Sequence, residues 1–359
     1  MLNTEHAKEL GINFDEDWPA FMAGNQIPQC ADPIAQAYAG HQFGHWNPQL
    51  GDGRAVLLGE VIGPQGRFDV QLKGAGRTAW SRNGDGRAWY GPVLREYLIS
   101  EAMHALGIPT TRALAAVATG ETILREQGPL PGAVICRTAS SHIRVGTFQY
   151  FAARNDTQAL EALLQQARAR HYGAAQTVEQ FLSAAVAAQA RLIAQWMGVG
   201  FIHGVMNTDN SHVGGITIDY GPFGFLDRFQ MDHICNHSDG QGRYAYQRQP
   251  QIMHWNMACL AGAMLPLIET RYGSELAQEH LQKTLEEFPE IYRAAWLKHF
   301  RTKLGLLTPN PDDTSLVESL LQLMHHNRID FTNTFRALSH FDASHDDRSN
   351  PLRDQFFNR

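Results

Sequence analysis

The sequence predicts an α+β fold of two lobes, a strand-rich first lobe followed by a mainly helical second one. Three observations predict it. Residues 50–150 are rich in Gly and Arg between short apolar runs, the texture of strands and tight turns. Residues 157–200 and 250–340 carry long apolar repeats of helical period. Only one Gly-rich stretch, 198–224, interrupts the helical half. A chain of 359 residues, 43% apolar and 10% aromatic, is long enough to bury a full core and more than one lobe.

Composition narrows the function classes. A formal net charge of −6 lacks the basic excess of a dedicated nucleic-acid binder, so a small soluble ligand or a protein partner is expected and nucleic acid is not. Cys30, Cys136, Cys235 and Cys259 show no CxxC or zinc spacing, which fits a reducing, cytoplasmic compartment. No run approaches eighteen apolar residues, and the start, MLNTEHAKELGINFDEDW, lacks the basic and apolar regions of a signal peptide. No membrane association is expected, and the pattern specifies no oligomeric state.

In the first half, Arg54 to Val61 reads as a strand, GPQG at 63–66 as a turn, and Phe68 to Lys73 as the returning strand. Alternation sets the faces: with Val70 and Leu72 toward the core, Gln71 and Lys73 point together to the other side. The tetrapeptide GDGR recurs at 51–54 and 84–87, and the first copy sits at the mouth of this hairpin. Glycines there let backbone amides approach phosphate oxygens that a side chain would block. GPVLREYLISEAMHALGIP, residues 91–109, reads as a helix with Pro92 in its first turn and Gly107 at its stop. Its apolar stripe is expected at Val93, Leu94, Tyr97, Leu98 and Met103, bordered by Glu96, which could meet Lys73. Glycine turn, strand lysine, helix glutamate is the order of a protein-kinase N-lobe.

In the second half, a helical pattern over 177–197 ends at Gly198 and Gly200 and runs into FIHGVMNTDN, then GITIDYGPFGF at 215–225. A kinase places a metal-binding Asn on such a loop and a short strand then delivers a metal-binding Asp. Asn210 and Asp219 fill those positions, and their hard oxygens suit Mg²⁺ or Mn²⁺ bridging phosphates. The position of a kinase's proton-accepting Asp, two after His203, holds Val205 instead. His203 reads as a structural loop histidine. His41 and His45 have i,i+4 spacing but no accompanying glutamate, so they do not read as a zinc site.

The runs YAGHQFG, PQLGDGRAVLLGE, LKGAGRT, SRNGDGRA, REYLISEAMHALGIPTTRAL, SHIRVGTFQ, HGVMNTDN and DYGPFGF resemble the selenoprotein O family, also called the YdiU family, from about residue 35 to the end. The resemblance implies a protein-kinase-like fold without the usual catalytic Asp. It also implies an adenylyltransferase that binds ATP in an inverted orientation and transfers AMP to Ser, Thr or Tyr hydroxyls of other proteins, with release of pyrophosphate. Carried over residue by residue, it implies that Lys73 contacts phosphate and Glu96 orients it. Gly51, Gly53 and Arg54 of the first GDGR, and Asp85 and Gly86 of the second, line the nucleotide site. Arg137 in CRTAS and Arg144 in HIRVG are its two nucleotide-binding arginines. Asn210 and Asp219 are its Mg²⁺ or Mn²⁺ ligands, Asp219 also reaching the nucleotide, and Asp209 is its proton acceptor.

The division that follows is a leader over 1–34, a nucleotide-binding N-lobe over 35–135, a C-lobe with the metal and catalytic loop over 136–340, and a tail over 341–359. Family members usually start earlier and continue to a tail bearing selenocysteine or cysteine; this chain stops at Arg359, which reads as a truncated product without that redox element. Residues 88–92, AWYGP, depart from the small polar run usual before the helix. Two other classes use the same residues. A γ-phosphate kinase would need the same Lys, Glu, Asn and Asp, and a non-catalytic nucleotide binder could keep all four.

Overall fold

The computed structural model describes residues 1–14 and 17–340; the expected tail over 341–359 lies outside the described residues. An antiparallel sheet in the N-terminal part is followed by a mostly helical C-terminal region. Two short helices, α1 (Thr4–Glu9) and α2 (Trp18–Met22), and a small strand pair, β1 (Gly40–Gln42) and β2 (His45–Asn47), precede the sheet. The main hairpin is β3 (Ala55–Gly63) and β4 (Gly66–Lys73), turning at Pro64-Gln65 as the GPQG signal predicts. Then come β5 (Ala88–Trp89), α3 (Tyr90–Ala105), and the long hairpin β6 (Arg112–Arg125) and β7 (Gly128–Ala139). Strand β7 is the centre of the sheet: it pairs with β6 along one edge and with β4 and β5 along the other.

Alternation along β4 and β7 gives the sheet two different faces. Val70, Leu72, Val134 and Cys136 pack with Ala7, Leu10 and Met22 from the N-terminal helices. Each fully buried aliphatic side chain in such a cluster contributes about 1.5–3 kcal/mol, which offsets the several kcal/mol that each ion buried on the opposite face costs. That opposite face presents Gln71 and Lys73 from β4 and, across the β4/β7 register Gln71↔Arg137 and Lys73↔Ile135, Arg137 from β7. Helix α3 packs on the same face through Val93 and Tyr97 against Ala88, Ala113, Ala116, Ala133 and Ile135. The alanines keep this part of the face shallow, so α3 lies close enough for Glu96 to reach Lys73.

The stripe on α3 differs from the expected one. Val93, Glu96, Tyr97, Ile99 and Met103 are buried, whereas Leu98 is 61% exposed. A pattern of apolar residues alone places the stripe toward Leu94 and Leu98; the polar cluster on the sheet pulls Glu96 inside and rotates the buried face with it.

After the sheet come α4 (Val145–Ala152), α5 (Thr157–His171) and α6 (Val178–Val199), which continues through Gly198 before Gly200 ends it with a positive φ of 71°. A short pair follows, β8 (Phe201–Ile202) and β9 (Gly224–Phe225). The remaining helices are α7 (Gln249–Tyr272), α8 (Ser274–Leu285), α9 (Glu287–Leu304), α10 (Asp313–Asn327) and α11 (Phe331–Leu338). The described chain forms two compact units. One comprises 1–185, 207–221 and 256–284; the other comprises 186–206, 222–255 and 285 onward. In the second unit His203 is buried and stacked on Trp196, with ring centroids 5.4 Å apart, the structural role its sequence position suggests. No described helix is long and apolar enough to cross a membrane.

Candidate active site

All the sequence-predicted site residues belong to the first unit. Lys73, at the end of β4, donates from Nζ to Glu96 Oε2 at 2.7 Å and to Asp219 Oδ1 at 2.9 Å. Arg137 donates from Nη1 to Glu96 Oε1 at 2.8 Å and to Asp219 Oδ1 at 2.7 Å. Arg144 donates from Nη1 to Asp219 Oδ2 and to the Asp209 carbonyl. One carboxylate therefore gathers three cations contributed by β4, β7 and the segment entering α4.

The chain reaches these positions by specific local means. Residues 143–145 pair with 211–213: the Val145 amide donates to Ser211 O at 2.8 Å and the Val213 amide to Ile143 O at 3.1 Å, so Arg144 is carried alongside Asp209 and Asn210. Those two residues sit in a single 3₁₀ turn, Thr208–Asn210. Asp219 has a positive φ of 62°, a left-handed conformation that Asp tolerates better than most residues. The sequence predicts a short strand leading to it; the structure has only an isolated bridge, Thr110↔Thr217, there. The chain changes direction at Asp219, where φ is positive and the Gly221 amide donates to Asp219 O at 2.9 Å, so only Thr217 pairs before the turn.

Burial and charge set the protonation states. Burial alone would raise the Asp219 pKa, but the charges of Arg137, Arg144 and Lys73 outweigh it and hold the group well below the carboxylate range. Glu96 is likewise held low, burial being overcome by Lys73 and Arg137. The carboxylate of Asp209, a residue 6% exposed, accepts no hydrogen bond from a cation among the described residues. Burial pushes it up to about 6, with Gln42 donating to Oδ2 at 3.1 Å and limiting the rise. Among the described residues its Oδ1 accepts no hydrogen bond, and the Arg144 Nε–H, also buried, finds no acceptor.

Beside Asp209 opens a cavity of about 480 Å³ lined by Gly51, Gly53 and Arg54 of the first GDGR and by Asp85 and Gly86 of the second. Tyr38 and Trp80 form its aromatic walls. The glycines have a packing reason beyond the expected access to phosphate. A Cβ on Gly51 would lie 2.5 Å from the Trp80 ring, and one on Gly86 2.0 Å from the Gly76 carbonyl oxygen. Asp85 is ion-paired with Arg125 at 2.8 Å, and Arg87 with Glu121. The structure thus brings Gly51, Gly53, Arg54, Asp85, Gly86 and Asp209 to one cavity, and Lys73, Glu96, Arg137, Arg144 and Asp219 to one ion cluster. The backbone of the Asp209–Asn210 turn is tied to that cluster through Arg144. Sequence reasoning misses Asp52, Tyr38, Gln42 and Trp80. Asp52 stands between the two glycines of the first GDGR, which is signal enough to consider it.

Buried His212, with Ser141 and the half-buried His171, fixes the loop. The Gly214 amide donates to His212 Nδ1 at 2.9 Å, so His212 carries its proton on Nε2 and gives it to Ser141 O at 2.9 Å. Ser141 Oγ lies 2.7 Å from His171 Nε2. In the fold, burial, aided by Arg170, pushes His171 down to about 4 from its ordinary 6.5. Unfolding then takes up a proton between those values, so the stability contribution is full above pH 6.5 and declines by about 1.4 kcal/mol per pH unit toward pH 4. Thermal melts across this window should show Tm falling with pH, and His171→Asn should flatten the slope. An equally steep slope in the variant would show that His171 is not buried as a neutral ring.

The family model described as "Protein adenylyltransferase SelO" matches residues 1–356, so the likeness begins ahead of residue 35, where the motif resemblance starts. The chain is 56% identical over 339 residues to the protein nucleotidyltransferase YdiU of Ruegeria pomeroyi, covering 94% of this chain and 71% of that protein. It is 52% identical over 348 residues to the YdiU protein of Anoxybacillus flavithermus, covering 94% and 72%. With that of Bradyrhizobium diazoefficiens it shares 51% over 364 residues, covering 99% and 73%.

Proposed function

The chain belongs to the SelO family of protein adenylyltransferases, and from that premise we propose how this nucleotidyltransferase uses ATP on protein substrates. ATP occupies the glycine-lined cavity with its phosphates toward the ion cluster, and AMP passes from the α-phosphate to a Ser, Thr or Tyr hydroxyl of the acceptor protein. The observation that carries this reading is the pair of unmatched buried groups, the Arg144 Nε–H and Asp209 Oδ1. An unsatisfied buried polar group costs about 1–3 kcal/mol, and one donor and one acceptor on neighbouring residues are what a phosphoryl oxygen and an attacking hydroxyl each require.

The residues then take these parts. Lys73, held by Glu96, and Arg137 neutralise the phosphates, while Arg144 presents its free edge to a phosphoryl oxygen. Gly51, Gly53, Arg54, Asp85 and Gly86 contact the nucleotide along the cavity. Asp209 Oδ1 accepts the proton of the acceptor hydroxyl as its oxygen bonds to the α-phosphorus; the bond from that phosphorus to the bridging oxygen breaks, and pyrophosphate leaves with the electron pair. Val205 cannot take a proton, and in this reading Asp209 does so in its place. Asn210 and Asp219 would hold a divalent cation, Mg²⁺ or Mn²⁺. Their oxygens suit it, Asp219 stays ionised as a ligand must, and no group of three or more His, Cys, Asp or Glu among the described residues forms a complete protein cage. When bound, such a cation supplies neutralisation of the charge developing on the phosphates.

The order of glycine turn, strand lysine, helix glutamate, loop asparagine and turn aspartate supports reading the chain as a two-lobed, protein-kinase-like fold, with the nucleotide turns in 35–135 and the catalytic loop in 136–340. The deciding measurement follows label from α- and γ-labelled ATP into protein, with Mg²⁺ or Mn²⁺ present. Label on protein from the α-position, with pyrophosphate released, is expected. Label from the γ-position alone would make the protein a kinase, and ATP-dependent thermal stabilisation with no labelled protein would make it a nucleotide binder.

A further inference from the structure

Asp52 lies between Gly51 and Gly53 and is 2% exposed. Its Oδ2 accepts from the Gln36 amide and from Gln71 Nε2, both at 3.2 Å. Gln71 is fully buried, and its Oε1 accepts from Arg137 Nε at 2.8 Å. A carboxamide has one donating and one accepting end. Because Asp52 takes the donating end, the accepting end must face Arg137; the reversed amide would set an NH₂ against the guanidinium and an oxygen against the carboxylate. Arg137 is thus gripped on two sides, by Gln71 at Nε and by Glu96 and Asp219 at Nη1.

The same carboxylate faces the second arginine. Asp52 Oδ1 stands 3.7 Å from Arg144 Nη2, the terminal nitrogen other than the one bonded to Asp219 and Asp209. Tyr38 covers the guanidinium face at 4.8 Å. Neither Asp52 nor Gln71 lines the cavity.

We propose that Asp52 and Gln71 are positioning residues for ATP: Asp52 orients the Gln71 amide, which locks the Arg137 guanidinium, and its charge faces the Arg144 guanidinium at Nη2. When phosphate oxygens compete with Asp219 for these two arginines, the contacts made by Arg137 Nε and Arg144 Nη2 keep both guanidinium groups in place. The inference rests on the reading of this cavity as the ATP site.

Two variants test it. Asp52→Asn keeps the volume and an acceptor for Gln36 and Gln71 but removes the charge facing Arg144. Gln71→Met keeps the approximate volume and severs both links. Each is expected to raise the Kd and KM for ATP about tenfold while kcat changes far less, since Gln71→Met removes a hydrogen bond to a buried charge, Asp52→Asn removes a buried charge facing Arg144, and the reacting groups are untouched. In the double variant the two effects should nearly add, because Asp52→Asn acts on Arg144 through charge and Gln71→Met acts on Arg137 through its hydrogen bond. Lower Tm with unchanged Kd and KM, measured well below the melting transition, would show a merely structural pair and overturn the proposal. If Gln71→Met does not fold, Asp52→Asn decides by the same readouts. Wild-type protein that binds ATP but transfers no AMP would overturn the reaction while the Kd comparison still decides the positioning; wild-type protein that does not bind ATP overturns both.

Discussion

Asp209→Asn is expected to lower AMP transfer by about 10²–10⁴-fold, the usual contribution of a positioned general base, while ATP binding stays within a few-fold of wild type. The expectation follows from a carboxylate that is buried, lifted to about 6 and left with one oxygen accepting no bond. The amide keeps the shape and the contact with Gln42 but takes no proton. Single-turnover transfer at saturating ATP isolates that step. A variant retaining more than about a tenth of wild-type transfer, against the smallest effect expected of a base, would show that Asp209 is not the proton acceptor.

The second large effect falls on stability as well as activity. Asp219→Ala leaves Lys73, Arg137 and Arg144 sharing only Glu96 and the more distant Asp52. Breaking a buried ion pair from one side costs about 3–5 kcal/mol, and the lower end applies because the Asp219 side chain keeps 17% exposure. Transfer should be lost outright and Tm should fall by several degrees. Because a triphosphate can replace the missing anion, ATP without divalent cation should raise the Tm of Asp219→Ala more than that of wild type. Equal shifts in the two proteins would mean that the three cations do not form the phosphate site.

Much of the site is legible in the amino-acid sequence because its parts lie on regular elements. The strand period puts Gln71 and Lys73 on one side of β4, opposite Val70 and Leu72, and the structure has them there. The helix carrying Glu96 and its approximate ends are also readable. Its buried face is not, because Leu98 fits an apolar stripe while Glu96 is buried by a partner that no local pattern reveals. The helical pattern through Trp196 stops short at Gly198 for a similar reason: local propensity disfavours glycine within a helix, and tertiary packing overrides it.

The identity and order of the chemical groups belong to the sequence alone: two glycine turns, a strand lysine, a helix glutamate, two arginines, and an Asp-Asn pair followed by Asp219. How they meet is settled by the tertiary fold. The register that sets Gln71 against Arg137 joins residues 66 apart, and Arg144 reaches Asp219 across 75. The positive φ of Asp219, the burial that lifts Asp209, and the place of Asp52 behind both arginines arise from that assembly. Periodicity is a property of neighbours along the chain, whereas pairing and desolvation depend on which distant segments pack together.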